Sequence, residues 1–186
     1  MVTTAPASAP GTGTGTGMIT GTQAPTALEA ELARVAGAVP DPELPVLTLA
    51  DLGVLRGVHL TGPGRAEVTL TPTYTGCPAV EAMSADIEQA LHAHGVPDVT
   101  VVTVLAPAWS TDDISEEGRR KLTEFGIAPP RPQGPPGGPV ALTLAIRCPH
   151  CGSTDTELLS RFSSTACKAL RRCAACREPF DHFKEL

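Results

Sequence analysis

The stretch Thr71-Pro72-Thr73-Tyr74-Thr75-Gly76-Cys77-Pro78 stands where a strand-like segment gives way to a helix-like one. Residues 65–71 alternate apolar and polar side chains, and Pro78 suits a first helical turn. Cys77 would therefore lie at a helix N-terminus, where unpaired N–H groups and the positive end of the helix dipole favour a thiolate. The sequence thus predicts an easily ionised thiol that can attack electrophiles or bind metal.

The segments around this stretch follow the order α-β-β-α-β-α over residues 26–128. A capping box, Thr26-Ala27-Leu28-Glu29, begins the first helix, and two alternating strands form a hairpin that leads into Cys77. A valine-rich third strand is predicted over 98–105, and the pattern Asp113-Ile114-Ser115-Glu116 is predicted to cap a last, charged helix. This order predicts a small α+β domain with helices on a three- or four-stranded sheet.

Composition divides the rest of the chain. Residues 1–25 are rich in Thr, Gly, Ala and Pro, and we expect a disordered tail because they cannot bury enough surface to offset their ordering entropy. Residues 129–139 hold six prolines and three glycines in eleven positions, which predicts a semi-rigid linker. Residues 140–186 therefore form a second module.

The charge of the chain is divided unevenly as well. Residues 1–139 hold 7 Lys and Arg against 15 Asp and Glu, a net charge of −8, whereas residues 140–186 carry +2. An acidic body argues against broad binding of nucleic acid. No apolar run approaches the ~20 residues of a membrane helix, and the N-terminus lacks the pattern of a secretory signal. We expect a cytoplasmic protein, and either Met1 or Met18 can be its start.

Two C-x-x-C pairs mark the second module: Cys148-Pro149-His150-Cys151 and Cys173-Ala174-Ala175-Cys176, with 21 residues between them. Four thiolates in this spacing predict a tetrahedral four-cysteine site, and structural zinc is its usual occupant. A rubredoxin-like iron site is the main alternative. His150 could also replace one cysteine in the metal shell. A module this small lacks an adequate core, so metal binding would supply its folding energy.

Three further residues carry two interpretations each. Cys167 is either a small apolar residue in the hairpin core or a second reactive thiol, whose thiolate Lys168 and nearby arginines would favour. Asp41 and Glu43 lie in the segment Asp41-Pro42-Glu43-Leu44-Pro45, which two prolines stiffen. Residue type alone favours an exposed turn over a functional site, because most surface carboxylates do no chemistry.

Three motifs precede a four-cysteine zinc ribbon in this chain: Asp41-Pro42-Glu43, Asp51-Leu52-Gly53 and residues 71–78. In this order the chain resembles the PaaD family of the bacterial phenylacetyl-CoA epoxidase system. Its first domain is similar to the SufT-like iron–sulfur assembly domain. The segment Ser164-Thr165-Ala166-Cys167-Lys168 extends the resemblance to the C-terminus.

The resemblance implies a role in aerobic phenylacetate degradation, where a multicomponent di-iron monooxygenase epoxidises phenylacetyl-CoA. It implies that Cys77 is the functional thiol and that Asp41 and Glu43 lie near it. The favoured hypothesis is an accessory protein that assembles or maintains the iron centres of the oxygenase, and the alternative is a stoichiometric, non-catalytic subunit of it. Cys77 would hold iron, a cluster or sulfur transiently, and a homodimer or a client protein would complete a cluster site, which normally needs four thiolates.

Other functions have weaker support in the sequence. The chain has no Glu-x-x-His pair for a di-iron site and no Gly-rich dinucleotide fingerprint. A zinc-ribbon nucleic-acid binder would need more positive charge and an aromatic stacking surface. A cysteine-dependent hydrolase would need a base beside Cys77, and His59 on the preceding hairpin is the one candidate.

Overall fold

The computed structural model describes residues 24–131 and 145–185. The predicted disordered tail and the predicted linker lie outside the described residues, except for residues 24–25 and 129–131. Residues 24–128 are called the N-terminal module below, and residues 145–185 the ribbon module. Within these ranges no helix is long and apolar enough to cross a membrane.

The N-terminal module is built from short helices around one small sheet. Its helices are α1 (Ala27–Gly37), α2 (Leu49–Leu52), α3 (Ala79–Ala93), a 3-10 turn (Thr111–Asp113) and α4 (Glu116–Glu124). Its sheet contains β1 (Leu55–Gly62), β2 (Arg65–Leu70) and β3 (Asp98–Thr103) in the order β1-β2-β3. Strands β1 and β2 form an antiparallel hairpin, and α3 is the crossover that brings β3 parallel to β2. The predicted α+β fold is confirmed.

Helix α3 positions Cys77 because it packs its apolar stripe on the sheet. Met83, Ile87 and Leu91 recur at helical spacing and are buried against residues of β2 such as Val68. Strand β2 ends at Leu70, and the loop of residues 71–78 connects it to α3. Cys77 thus lies at the carboxyl end of the central strand and directly before the helix, as the sequence predicts.

The local predictions for two helix starts need correction. Helix α2 was not predicted, although Thr48 and Asp51 form a full capping box at its N-terminus. The predicted capping box at Asp113 is wrong, because Ser115 caps α4 with a hydrogen bond from the Gly118 N–H. Asp113 instead closes the preceding 3-10 turn, since its carboxylate accepts the backbone N–H of Ser110.

The ribbon module contains β5 (Thr156–Ser160), β6 (Lys168–Cys173) and β7 (Pro179–Phe183), paired antiparallel. A fourth strand comes from the end of the N-terminal module: β4 (Ile127–Ala128) pairs parallel with β7, which gives the order β4-β7-β6-β5. Residues 127–128, assigned by sequence to the first domain, therefore extend the ribbon sheet.

The two modules also share a hydrophobic core. Phe183 of the ribbon is fully buried within the same core cluster as Leu52 of the N-terminal module. The Trp109 ring packs on Phe183, and its indole N–H donates a 2.8 Å hydrogen bond to the Leu52 carbonyl. At the edge of this contact the Arg131 guanidinium pairs with the Glu185 carboxylate at 2.9 Å. The domain boundary at 129–139 stays a prediction, but the modules on either side pack as one body.

Candidate functional site

The four cysteines of the two C-x-x-C pairs converge as the sequence predicts. Their sulfur atoms all lie within 4.8 Å of one another, with 3.7 Å between Cys148 and Cys176 and 3.6 Å between Cys151 and Cys173. A tetrahedral ion with metal–sulfur bonds of about 2.3 Å holds its sulfurs about 3.8 Å apart, so these thiols fit one ion. His150 is exposed, packs beside Gly126 and is not a member of this group.

A backbone turn follows each of the two C-x-x-C pairs, and backbone N–H groups act on their thiols. Gly152 and Arg177 adopt positive φ, which turns the chain back on itself just after each pair. Hydrogen bonds from backbone N–H groups, first that of Cys176, lower the pKa of the Cys173 thiol to about 7. Although the Glu178 N–H favours its thiolate, burial and the neighbouring cysteines raise the pKa of Cys176 to about 12. All four thiols can ionise together only beside a cation, so this is a structural metal site.

A second site lies where the two modules meet. It is a small cavity, called the junction cavity below, with a volume of about 10 Å³. Five side chains with a carboxylate, hydroxyl or thiol group line it together with apolar core residues. The lining consists of Asp41, Glu43, Leu44, Leu52, Val54, Thr73, Cys77, Met83, Cys167 and Phe183. The structure therefore brings together Cys77, the two carboxylates and the surplus cysteine of the ribbon.

Asp41 is not on the solvated turn that residue type alone favours. Its side chain is buried, and its Oδ1 accepts the backbone N–H groups of Glu43 at 2.9 Å and Leu44 at 2.7 Å. Asp41 and Glu43 line the same cavity. Burial raises the pKa of Asp41 despite those two hydrogen bonds, and burial with the charge of Asp41 raises the pKa of Glu43.

Cys77 lies just before α3, but the pKa of its thiol shifts in the direction opposite to the predicted one. Burial raises the pKa of its thiol, and this outweighs the Ala79 N–H and the Tyr74 hydroxyl, which lower it. The charges of Glu43 and Asp41 add to the increase. The prediction that the helix terminus gives an easily ionised thiol is wrong in sign, because desolvation and two carboxylates exceed the field of one helix end.

Cys167 reaches the same cavity from the ribbon module. It precedes β6, where its carbonyl accepts the Lys184 N–H at 3.0 Å and its sulfur lies 3.1 Å from the Thr165 hydroxyl. The thiol is buried in the shared core, and burial raises its pKa. Lys168 favours the Cys167 thiolate as the sequence predicts, whereas the neighbouring Arg172 pairs with Glu157 of β5. Cys167 is thus a buried core residue, as the first interpretation predicts, and its raised pKa contradicts the second, a readily ionised reactive thiol.

Lys168, which the sequence analysis considers only as a neighbour of Cys167, also acts on the two carboxylates of the cavity. Its side chain is 7% exposed, and its ammonium lies 3.4 Å from the Asp181 carboxylate. Its charge acts on Asp41 and Glu43 and lowers their pKa values, although burial of these carboxylates raises them more. The position of Lys168 directly after Cys167 was the available signal in the sequence. Only the tertiary fold shows that the lysine side chain is buried.

The Asp51-Leu52-Gly53 motif supports the site and contributes one apolar residue, Leu52, to its wall. Asp51 accepts the Thr48 N–H at 2.9 Å and the Lys121 ammonium at 2.7 Å, which ties α2 to α4. Gly53 has φ +68°, and a Cβ there would lie 2.3 Å from the Asp113 carbonyl oxygen. The motif therefore fixes the chain that carries Leu52 and Val54 to the cavity wall.

His59 does not serve as a base for Cys77. Its side chain is 64% exposed on β1 and lies 3.8 Å from the Glu29 carboxylate. No histidine of the described ranges lines the junction cavity. The structure thus gives the hydrolase hypothesis no catalytic partner among these residues.

The chain is similar to known proteins over both of its modules. Residues 29–106 match the family described as "Iron-sulfur cluster assembly protein", and residues 133–184 match the "PaaD zinc beta ribbon domain". The chain is 46% identical over 154 residues, covering 83% of this chain and 91% of the relative, to an Escherichia coli K12 protein described as a putative subunit of 1,2-phenylacetyl-CoA epoxidase.

Shorter relatives match about half of the chain. A Porphyromonas gingivalis W83 protein described as "Fe-S protein maturation auxiliary factor" is 33% identical over 95 residues, which is 50% of this chain and 90% of the relative. A solved domain of unknown function from Bacillus anthracis is 30% identical, with a TM-score of 0.48 over 52% of this chain and 92% of that one.

These matches define a protein that joins an iron–sulfur assembly domain to a zinc-ribbon domain. The chain belongs to the PaaD family, as its identity with the Escherichia coli protein over nearly the whole of that relative shows.

Proposed function

We propose that this protein is an accessory factor of aerobic phenylacetate degradation that assembles or maintains the iron centres of the phenylacetyl-CoA oxygenase. The observation that carries the proposal is the junction cavity, in which Cys77 faces Asp41 and Glu43 within an iron–sulfur assembly domain. Relatives described as an epoxidase subunit and as an Fe–S maturation factor supply the setting.

The three residues have separate roles in this proposal. Cys77 binds iron as a thiolate and passes it on. Asp41 and Glu43 supply an oxygen ligand or hold the proton that the thiol releases when it binds metal. Asp41 is preset for this by its own turn, because two backbone N–H groups hold Oδ1 in place. In the ribbon we assign the metal of the four cysteines as zinc, with a structural role.

A second candidate follows from the description of the Escherichia coli relative as a subunit. In that case the chain is a stoichiometric, non-catalytic component of the oxygenase. It would contribute contacts rather than oxidation chemistry, because the sequence contains neither a Glu-x-x-His pair nor a dinucleotide fingerprint.

One experiment separates the two. The cognate oxygenase is produced with this protein, without it, or with its Cys77→Ala variant, and its iron content and activity are measured together. A maturation factor predicts that iron and activity fall together in the last two cases. Thr75→Ala, an exposed change two residues away, is the control that should leave both unchanged. Full iron with lost activity, restored by adding the purified protein, would instead establish a working subunit.

A further inference from the structure

We propose that Cys77 and Cys167, together with Asp41 and Glu43, form one divalent-metal site across the junction of the two modules, and that it takes a single ferrous ion. This inference rests on the proposed function and deepens it, because it names the cargo and adds a ligand from the ribbon. The ribbon would then be part of the working site as well as a docking element.

The size of the cavity favours one ion. Its volume of about 10 Å³ accommodates roughly one water-sized sphere. An iron–sulfur cluster normally takes four thiolates, whereas two thiols line this cavity. Leu52, Met83 and Phe183 supply apolar walls beside its polar side chains.

The donor set favours iron or zinc over harder and softer ions. Two thiols come from Cys77 and Cys167, and two carboxylates come from Asp41 and Glu43. Thiolates discriminate against Mg²⁺ and Ca²⁺, whereas carboxylates suit copper(I) poorly. A mixed sulfur and oxygen set of four donors is compatible with Fe²⁺ and Zn²⁺.

The charges at the cavity also favour the binding of a cation. Asp41 and Glu43 line the cavity, and the Lys168 ammonium that lowers their pKa values is shared with Asp181. When a divalent ion binds, each of the two thiols loses one proton to solvent, so two positive charges replace two protons. The charge of the buried site stays the same, which avoids the cost of two uncompensated thiolates.

Binding at this site is weaker than at the four-cysteine site of the ribbon. Among the described residues, only the four ribbon cysteines have ligand atoms within 4.8 Å of one another. The donors of the junction cavity must turn inward to meet an ion, and Cys167 must leave the Thr165 hydroxyl at 3.1 Å. Such a site binds and releases its ion more readily than a closed structural one, which suits a carrier.

Cobalt(II) titration tests the proposal on the full chain with zinc in the ribbon. Thiolate-to-cobalt charge transfer reports how many thiolates bind, and released zinc is measured to exclude exchange at the four-cysteine site. We expect two thiolates for the wild type and one each for Cys77→Ser and Cys167→Ser. Each change should weaken cobalt binding by about tenfold or more, since even the loss of a ligand's hydrogen-bond partner costs that much. The exposed Ser164→Ala is the matched control and should bind as the wild type does.

A measurement on the wild type covers the case in which a variant fails to fold. Bound cobalt should protect Cys77 and Cys167 together from alkylation, as read by mass spectrometry of the digested chain. If cobalt protects Cys77 alone, or if Cys167→Ser binds unchanged, the composite site is wrong while the proposed function still stands on Cys77. If the oxygenase gains its iron without this protein, the proposed function fails, but the cobalt result for the cavity is unaffected.

Discussion

The rings of Trp109 and Phe183 lie 6.1 Å apart between their centroids, tilted by 49°. Trp109 follows the third strand of the N-terminal module, and Phe183 ends the last strand of the ribbon. Both are buried, and Phe183 also lines the junction cavity. The contact therefore links the folding of the ribbon to the shape of the site that contains Cys77.

Truncation of Phe183 should destabilise the N-terminal module although the residue belongs to the ribbon. Phe183→Ala removes a fully buried ring from the shared core, so we expect a loss of about 3–5 kcal/mol in the free energy of unfolding. Urea unfolding followed by circular dichroism measures it. Phe162→Ala is the control, because that ring is 64% exposed and its loss should cost under ~0.5 kcal/mol. Equal effects of the two changes would contradict the shared core.

Removal of the ribbon metal should be visible at Trp109, the single tryptophan of the chain. Without metal the four thiols no longer hold the two C-x-x-C turns together, and the ribbon loses its main source of folding energy. Phe183 then leaves Trp109, whose fluorescence should shift to longer wavelength when a chelator is added. Zinc added back should restore it, and Cys173→Ser should mimic the metal-free state. An unchanged emission spectrum would show that Phe183 stays docked without the metal.

Gly53 should tolerate no side chain. Gly53→Ala combines a left-handed backbone with a Cβ only 2.3 Å from the Asp113 carbonyl oxygen, so we expect a loss of about 2–4 kcal/mol. Gly95→Ala measures the cost of the left-handed backbone alone, because Gly95 has φ +93° and nothing lies within 4 Å of its Cβ position. That control should cost only about 1–2 kcal/mol. Urea unfolding compares the two, and similar losses would rule out the close approach at Gly53.

Tyr74, the single tyrosine, should report on Cys77. Burial and the neighbouring Cys77 raise the pKa of Tyr74 to about 12. Because this pKa lies above the usual value of 10.0, the neutral phenol stabilises the fold below pH 10, and that stability is lost as the pH rises towards 12. A stopped-flow jump to pH 11 reads the phenolate absorbance before the protein unfolds. About a tenth of Tyr74 should ionise at once in the wild type.

Cys77→Ala should increase that fast absorbance, because it removes both the thiolate charge and the hydrogen bond that raise the pKa of Tyr74. Thr75→Ala should not, since Thr75 is exposed. A Cys77→Ala variant with the wild-type amplitude would mean that Tyr74 and the Cys77 thiol do not interact.

Local sequence patterns predicted much of the fold and part of the site. The capping box at Thr26 involves residues within a few positions of each other, so short-range hydrogen bonding decides it, whereas α3 begins after Pro78 without a side-chain cap. The capping box at Asp113 misled because two caps follow each other in this stretch: Ser110 caps the 3-10 turn that Asp113 closes, and Ser115 caps α4. The pKa of Cys77 was predicted with the wrong sign because its burial depends on residues distant in the chain.

The sequence by itself determined the α+β class, the four-cysteine group of the ribbon and the cysteine just before α3. Each depends on spacing along the chain, which thiol geometry and the helical repeat of apolar residues constrain directly. Only the tertiary structure decided that Ile127 extends the ribbon sheet and that Cys167 and Cys77 line one small cavity. Such contacts come from packing between distant segments, and no periodicity in the sequence records which apolar face meets which.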